Sequence, residues 1–439
     1  QRRKNLTQLF IPICLETLLY MLSGMVDTLM LSSVNDQAVG AVGTANTYIG
    51  IFIIMFSVIS SGMVAVMTQN IGAGRPGVAY QARQLGLAFN AVLGVIMSLF
   101  LSLGAGTILS GVGVADALMQ PAKTYLQIVG GFCILNALIP ICSSYLRAFG
   151  FSKEPLYASI IGNVINFCLN AFFLFVLHKG VAGVATATVI SRIINLVIVV
   201  LLGAVLVKAK QHPERESNRE VMGQIIRIGL PSACETAIYN VSMTLVIRFL
   251  NQMDAQGLNV TARSYTMQIT NFSYCVGAAL AQANAIMTGW HIGAKEYDAC
   301  DRGTRKAAII GVIVAVILET MFALCSGWIM QLFSKDPQMV SLVGKLLAID
   351  IVLEMGRVTN LVYGQALKTS GDAVFPVVMG ACFMILCSVG GTYLFGIRLG
   401  LLAVGAYIGM AGDECVRAVG MYLRWKSGKW KEKGLVKSR

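Results

Sequence analysis

Eight acidic side chains lie within or against long runs of apolar residues: Glu16, Asp27, Glu235, Glu319, Asp350, Glu354, Asp413 and Glu414. A charge at bilayer depth costs at least about 2.5–3.5 kcal/mol, so each is a candidate for function. The cations in the same runs are Arg192, Arg248, Arg357 and Arg417, which leaves the expected interior acidic and attractive to cations. A buried carboxylate suits ion coupling because either a proton or Na⁺ can meet its charge, and burial brings its proton affinity into the working range.

Spacing sorts these groups. Asp350, Glu354 and Arg357 follow an i, i+4, i+7 pattern and share one face of a helix. Glu354 and Arg357 can pair, leaving Asp350 the less compensated acid. Asp413, Glu414 and Arg417 can neutralise one another in the same way. Asn166 and Asn170 stand one turn apart, as ion ligands or as glue between helices. Glu319 has no neighbour that interprets it. A cavity lined by Glu16, Glu235, Asp350 and Glu354, beside Tyr20, Tyr239 and Tyr274, would attract and hold a cation. There is no H-E-x-x-H motif, His178, His212 and His291 fall at helix ends or in loops, and Ser61 lacks a placed base; an enzyme is not expected.

The elements that must position these groups are membrane helices. Of the 439 residues, 56% are hydrophobic and only 13% charged, against about 25% charged in soluble domains. Runs of the roughly 20 apolar residues a spanning helix needs predict helices over 7–33, 39–68, 86–110, 122–146, 156–177 and 181–207. A second set falls over 222–250, 258–288, 306–333, 341–366, 374–396 and 400–424. The first apolar stretch continues as a full helix with no small-residue cleavage site, so no cleavable signal peptide is expected. Lys and Arg crowd the segments on one side, including Arg75, Arg83, Arg147, Lys208, Arg305 and seven positions from Arg424 onward. The opposite ends hold Lys123, Lys179, Lys335 and Arg398. The positive-inside rule places both termini in the cytoplasm, in an inner membrane. The net charge of +13 is then topology facing anionic headgroups, which excludes nucleic acid as a partner. The 11 cysteines include no C-x-x-C pair and read as core residues.

The halves repeat. Pro12-Ile-Cys-Leu-Glu16 matches Pro231-Ser-Ala-Cys-Glu235 at a shift of 219, and Ile71-Gly72-Ala73 matches Ile292-Gly293-Ala294 at 221. Gly150 and Pro155 match Gly371 and Pro376, again at 221. Six spans per copy give both copies one orientation, so the expected fold is an all-α membrane protein of twelve transmembrane helices. Its two six-helix lobes would be related by a pseudo-two-fold axis along the membrane normal. The expected organisation is a lobe over 1–207, a cytoplasmic linker over 208–221 and a second lobe with a basic cytoplasmic tail over 222–439. Transporters with such repeats place substrate and ions near midplane. Asp27 has Val246 as its counterpart, so the coupling site is expected in the first lobe only.

Several ordered pieces resemble the multidrug and toxic compound extrusion (MATE) family: Val26-Asp27-Thr28, Gln69-Asn-Ile-Gly72-Ala73-Gly74, Gly180-Val-Ala-Gly183 leading to Ala187-Thr188, and Gly229-Leu-Pro231. Glu354-Met-Gly-Arg357-Val-Thr-Asn360 and Ala366-Leu-Lys-Thr-Ser-Gly371-Asp372 look like a bacterial branch of it. The resemblance implies a V-shaped, two-lobed antiporter that exports organic, cationic compounds in exchange for H⁺ or Na⁺, by alternating access. It implies a cation-coupling site of Asp27, Asn166, Asn170 and Thr188, with Asp27 as the Na⁺ ligand if the ion is Na⁺; Asn170 stands where family members carry an aspartate. A carboxyl-lobe acid pair of another branch falls on Tyr239 and Arg357, and Glu235 and Glu354, a turn away, would take over. No cofactor is expected beyond the coupling ion. A monomer in the lipid bilayer is expected, and the alternative reading is a flippase for a lipid-linked or amphipathic precursor.

Overall fold

In hydrocarbon no water satisfies backbone N–H and C=O groups, so an apolar chain of this kind must close its hydrogen bonds within helices. The computed structural model describes residues 4–436, and among these every regular element is helical. The twelve long elements are α1 (Leu6–Ser32), α2 (Asp36–Gly72), α3 (Pro76–Gly111), α4 (the bent pair Asp116–Gly130 and Ile134–Ala148), α5 (Lys153–Val176) and α6 (Gly180–Leu206). They continue with α7 (Asn218–Met253), α8 (Leu258–Gly293), α9 (Tyr297–Leu324), α10 (Pro337–Ser370), α11 (Val374–Arg398) and α12 (Ala403–Lys426). Seven are long and apolar enough to cross a membrane, eight when the bent pair counts as one span. The other four, α7, α8, α10 and α12, carry most of the buried charge. The chain divides into two compact units, Gln1–Leu230 and Pro231–Arg439.

Local sequence explains the ends. Asn5 caps α1, accepting from the Gln8 amide while the Gln8 side chain accepts from the Asn5 amide, a reciprocal box. Asn35 caps α2, and Pro76 opens α3 where a missing N–H costs nothing. Two predicted helices shift most. Helix α3 begins ten residues before the apolar run, because Gln81, Arg83 and Gln84 are helical outside the hydrocarbon. Helix α9 spans Tyr297–Leu324 instead of 306–333, with a separate short helix at Ser326–Met330. Charged turns such as Asp301–Arg305 continue a helix that hydropathy ends early. The fourth span bends by 44° at the break between Gly130 and Ile134, just after a π-helical turn, Leu126–Gly130, in which Gly130 packs against Leu101.

Within the first unit, α1 packs on α5, α2 on α3, and α5 on α6, over a core including Leu31, Ile49, Phe56, Leu101, Leu126 and Leu174. The polar 208–217 segment is pinned to the start of α3. Gln81 receives the Glu216 amide at 2.9 Å and donates to the Glu216 carbonyl at 2.6 Å, and Arg75 pairs with the Glu216 carboxylate. Within the second unit α10 is the axis, packed on α8, α9 and α12 around Leu250, Leu346, Leu347 and Tyr407. The basic tail is not loose. Trp425 and Trp430 stack at 3.9 Å, Trp430 is fully buried, and Trp425 donates to Asp301 at 2.8 Å. In the loop before α8, burial pulls the Asp254 carboxyl upward. Hydrogen bonds from the Leu258 and Asn259 amides and the Asn259 side chain outweigh that and hold it below the usual carboxylate range.

Helices α11 and α12 touch backbone to backbone. A Cβ on Gly409 would lie 2.8 Å from the Cys387 carbonyl oxygen and 3.0 Å from the Gly391 Cα, whereas one on Gly412 would meet nothing within 4 Å. Gly409→Val is therefore expected to destabilise the protein by about 1–3 kcal/mol, as overpacking does, and Gly412→Ala to leave it unchanged; melting curves of the purified variants compare them. Equal melting temperatures for wild type and Gly409→Val would refute the close crossing.

Candidate functional site

In the first unit, α1 presents Asp27 to α5. Asn166 donates its side-chain amide to both Asp27 oxygens at 3.1 and 3.3 Å, and Asn170 donates at 2.8 Å. The i, i+4 spacing places both amides on one stripe of α5, and both residues are buried. Their Oδ1 atoms are buried without a donor, so the cluster offers oxygen ligands besides the carboxylate. Thr188 is buried nearby in the sequence pattern but donates to the Val184 carbonyl of its own helix at 3.0 Å; no hydrogen bond joins it to Asp27 among the described residues. Among the described residues no guanidinium or ammonium lies at salt-bridge distance from Asp27; Arg192 acts on it only through space.

Glu16, two turns or more before Asp27 on α1, is not a free acid. Arg147 pairs with it at 2.5 Å and the Ser159 hydroxyl donates to it at 3.2 Å. The second unit repeats this pairing: Glu235, the counterpart of Glu16, pairs with Lys368 at 2.6 Å, and Lys368 stands 221 residues after Arg147. The repeat therefore preserves an ion pair across two halves whose basic partner changes from Arg to Lys.

The second unit holds a cavity of about 420 Å³ lined from α7 by Glu235 and Tyr239, from α8 by Arg263 and Tyr274, from α10 by Asp350 and Arg357, and from α12 by Tyr407, Glu414 and Arg417. Its size falls in the range of small-molecule sites. Glu354 pairs with Arg357 at 3.2 Å, and the Arg357 guanidinium lies over the Tyr274 ring at 5.5 Å. Arg417 meets Asp413 at 2.9 Å and Glu414 at 3.0 Å, and Ser388 donates to Asp413 at 2.9 Å. Behind Asp350 lies Glu319 of α9: Glu319, Asp350 and Glu354 bring one carboxylate oxygen each to within 4.8 Å of one another.

The buried charges are mostly acidic, as expected, but the cavity lining carries both signs. Arg263, Arg357, Lys368 and Arg417 face the cavity beside Glu235, Asp350 and Glu414. Arg263 is absent from the sequence tally because its place six residues into a helix reads as interfacial. In the structure it is 7% exposed, with Nη2 at 3.6 Å from the Met243 sulfur and Nε buried without a partner. Lys368, in the last turn of its helix, has the position of a topology charge, and the repeat shift from Arg147 is the signal that points to it. Among the expected substrate residues, Glu235, Tyr239, Tyr274, Asp350 and Arg357 line this cavity and Glu354 stands behind Arg357; Glu16 and Tyr20 belong to the first unit, where Tyr20 is 79% exposed.

The MatE family model matches this chain twice, over residues 12–172 and 231–394, once in each half of the repeat. A Bacillus subtilis (strain 168) protein named as the uncharacterized transporter YisQ is 34% identical, covering 97% of this chain and 94% of that one. A probable multidrug resistance protein NorM of Thermotoga maritima is 24% identical over 99% of this chain and 94% of its own. Among solved structures, an outward-facing multidrug resistance MATE family transporter of the MOP superfamily superposes with a TM-score of 0.88 at 18% identity, covering 99% of this chain and 96% of that one.

Removing one partner of a mostly buried ion pair strands a charge, at about 3–5 kcal/mol. Lys368→Met is accordingly expected to lower the melting temperature more than the double variant Glu235→Leu with Lys368→Met, in which no charge is stranded. A double variant no more stable than the single one would show that Lys368 does not neutralise Glu235.

Proposed function

This chain belongs to the MatE family of membrane transporters, and from that premise we propose that it is a secondary exporter, driving organic compounds out in exchange for H⁺ or Na⁺ by alternating access. The observation that carries the coupling role is the environment of Asp27. Glu16, Glu235, Asp413 and Glu414 each face a cation at salt-bridge distance. Among the described residues, the hydrogen bonds to Asp27 come from two neutral amides. A carboxylate so held keeps an uncompensated charge that an incoming H⁺ or Na⁺ neutralises, and its loading and release bias α1 between two arrangements. If the ion is Na⁺, Asp27 would ligate it, with the amide oxygens of Asn166 and Asn170 turned inward and Thr188 as a further oxygen donor.

The cavity in the second unit is proposed as a substrate site. Tyr239, Tyr274 and Tyr407 offer aromatic faces to an organic cation, Asp350 a counter-charge, and Arg263, whose Nε has no partner, a place for an acidic group on an amphoteric compound. Relatives named as multidrug resistance proteins favour this reading over a flippase. We place the monomer in the inner membrane with both termini in the cytoplasm, following the distribution of Lys and Arg.

Asp27→Asn keeps the shape of the side chain and removes its charge. Export of tetraphenylphosphonium from vesicles containing the purified variant is expected to fall at least tenfold while its melting temperature stays near that of wild type. Undiminished export would sink the assignment of Asp27.

A further inference from the structure

The basic end of the chain has no part in the mechanism above. Helix α9 turns Thr304, Ala307, Gly311 and Ala315 inward and presents one exposed stripe on the opposite face. That stripe begins at Arg302 and Lys306 and runs on through Ile309, Ile313 and Ile317. On a spanning helix an apolar stripe of this kind is covered by acyl chains, so the two cations at its end lie at the depth of the headgroups. Helix α12 repeats the arrangement. Val416, Val419 and Leu423 are exposed on one face, and Lys426, three residues after Leu423 and seven after Val419, closes that face.

The residues after α12 join the two stripes. Trp425 donates to Asp301 of α9 at 2.8 Å, Trp430 meets Tyr297 of α9 edge to face at 6.0 Å, and Trp430 Nε1 donates to the Trp425 carbonyl at 2.7 Å. The short turn Lys429–Glu432 is thereby fixed beside the start of α9, and the Lys433 carbonyl oxygen lies where a Cβ on Gly371 would stand. Lys426 and Lys429 are exposed, and among the described residues neither they nor Arg302 and Lys306 have a salt bridge. The acids nearby are mostly occupied. Asp301 also holds Arg305 at 2.8 Å, Asp372 holds Arg424 at 2.7 Å, and Glu296 meets His291 at 3.0 Å, which leaves Asp298 and Glu432.

A loose basic tail attracts any polyanion. Here the cations are held in place at the ends of two apolar stripes, so the ligand they fit carries its anion at headgroup depth and apolar chains beside it. We propose that Arg302, Lys306, Lys426 and Lys429 form a site for the phosphate headgroup of an anionic phospholipid, on the side of the second unit that we place in the cytoplasm. A specific site goes beyond the general attraction of a basic surface for the membrane. It stands or falls independently of the exporter reading because it concerns binding alone.

The test uses the delipidated full chain in a nonionic detergent, titrated with dioleoylphosphatidylglycerol or dioleoylphosphatidylcholine. The rise in melting temperature is followed, and the lipids retained are counted by native mass spectrometry. Two variants carry the same change of charge: Arg302, Lys306, Lys426 and Lys429 to Ser, and the exposed Lys208, Lys210, Arg219 and Arg227 of the first unit to Ser. The wild type is expected to retain phosphatidylglycerol in preference to phosphatidylcholine and to be stabilised by it. The second-unit variant is expected to bind phosphatidylglycerol about tenfold more weakly, and the first-unit variant to bind it as the wild type does. Arg302→Ser with Lys426→Ser replaces the fourfold variant if that is not monodisperse on size exclusion. Equal losses in the two variants would overturn the proposal, leaving only diffuse attraction, and so would no loss in the second-unit variant. No preference of the wild type for phosphatidylglycerol, or the same stabilisation by glycerol 3-phosphate, would overturn it as well.

Discussion

Charge compensation in a hydrocarbon setting is the constraint on which the rest of this structure depends. Each ionised side chain inside the bundle must find an opposite charge, a set of hydrogen bonds or an ion from outside. Most find the first. Glu16 has Arg147, Glu235 has Lys368, Glu354 has Arg357, and Asp413 and Glu414 share Arg417. These pairs fix the helices that carry them, because moving one strands a charge. Among the described residues, Asp27, met by amides, the acids Glu319 and Asp350, and the cation Arg263 have no opposite charge at salt-bridge distance. Such places are where an outside ion changes the energy of the protein most.

The duplicated frame explains how a molecule comes to hold both kinds of place. The family model matches each half separately, and the Glu16–Arg147 and Glu235–Lys368 pairs occupy corresponding positions. What the copies share is the ion pair that joins the first helix of each half to the fourth. What differs is the specialised chemistry. Asp27 has an apolar counterpart in Val246, which is fully buried. The second unit instead gathers its acids on α9, α10 and α12, around a cavity that the cations Arg263, Arg357 and Arg417 also line.

Much of this was legible in the sequence, for physical reasons. Twelve helices follow from apolar runs because lipid admits few other structures. The pairing of Glu354 with Arg357, and of Asp413 and Glu414 with Arg417, follows from i, i+3 and i+4 spacing, which is local. The contact of Asp27 with Asn166 and Asn170 came from the family resemblance and not from spacing, since 139 residues separate the first two. Glu319 could not be interpreted because its partners lie on another helix, and periodicity within one helix says nothing of register between two. Arg263 and Lys368 were passed over because a cation near a helix end looks like topology. The anchoring of the 208–217 segment and of the Trp425–Trp430 stack was also hidden, since polar, basic stretches read as solvated loops.

The central claim is that a cation gradient drives an organic compound across the membrane through this chain. The most direct test is tetraphenylphosphonium transport by purified protein in sealed vesicles, with a pH gradient and a Na⁺ gradient imposed separately and the membrane potential clamped. The account predicts that one of the two gradients drives accumulation against the concentration difference, and that collapsing it stops transport. Movement that only ever follows the concentration gradient of tetraphenylphosphonium, whatever the ion gradients, would contradict it.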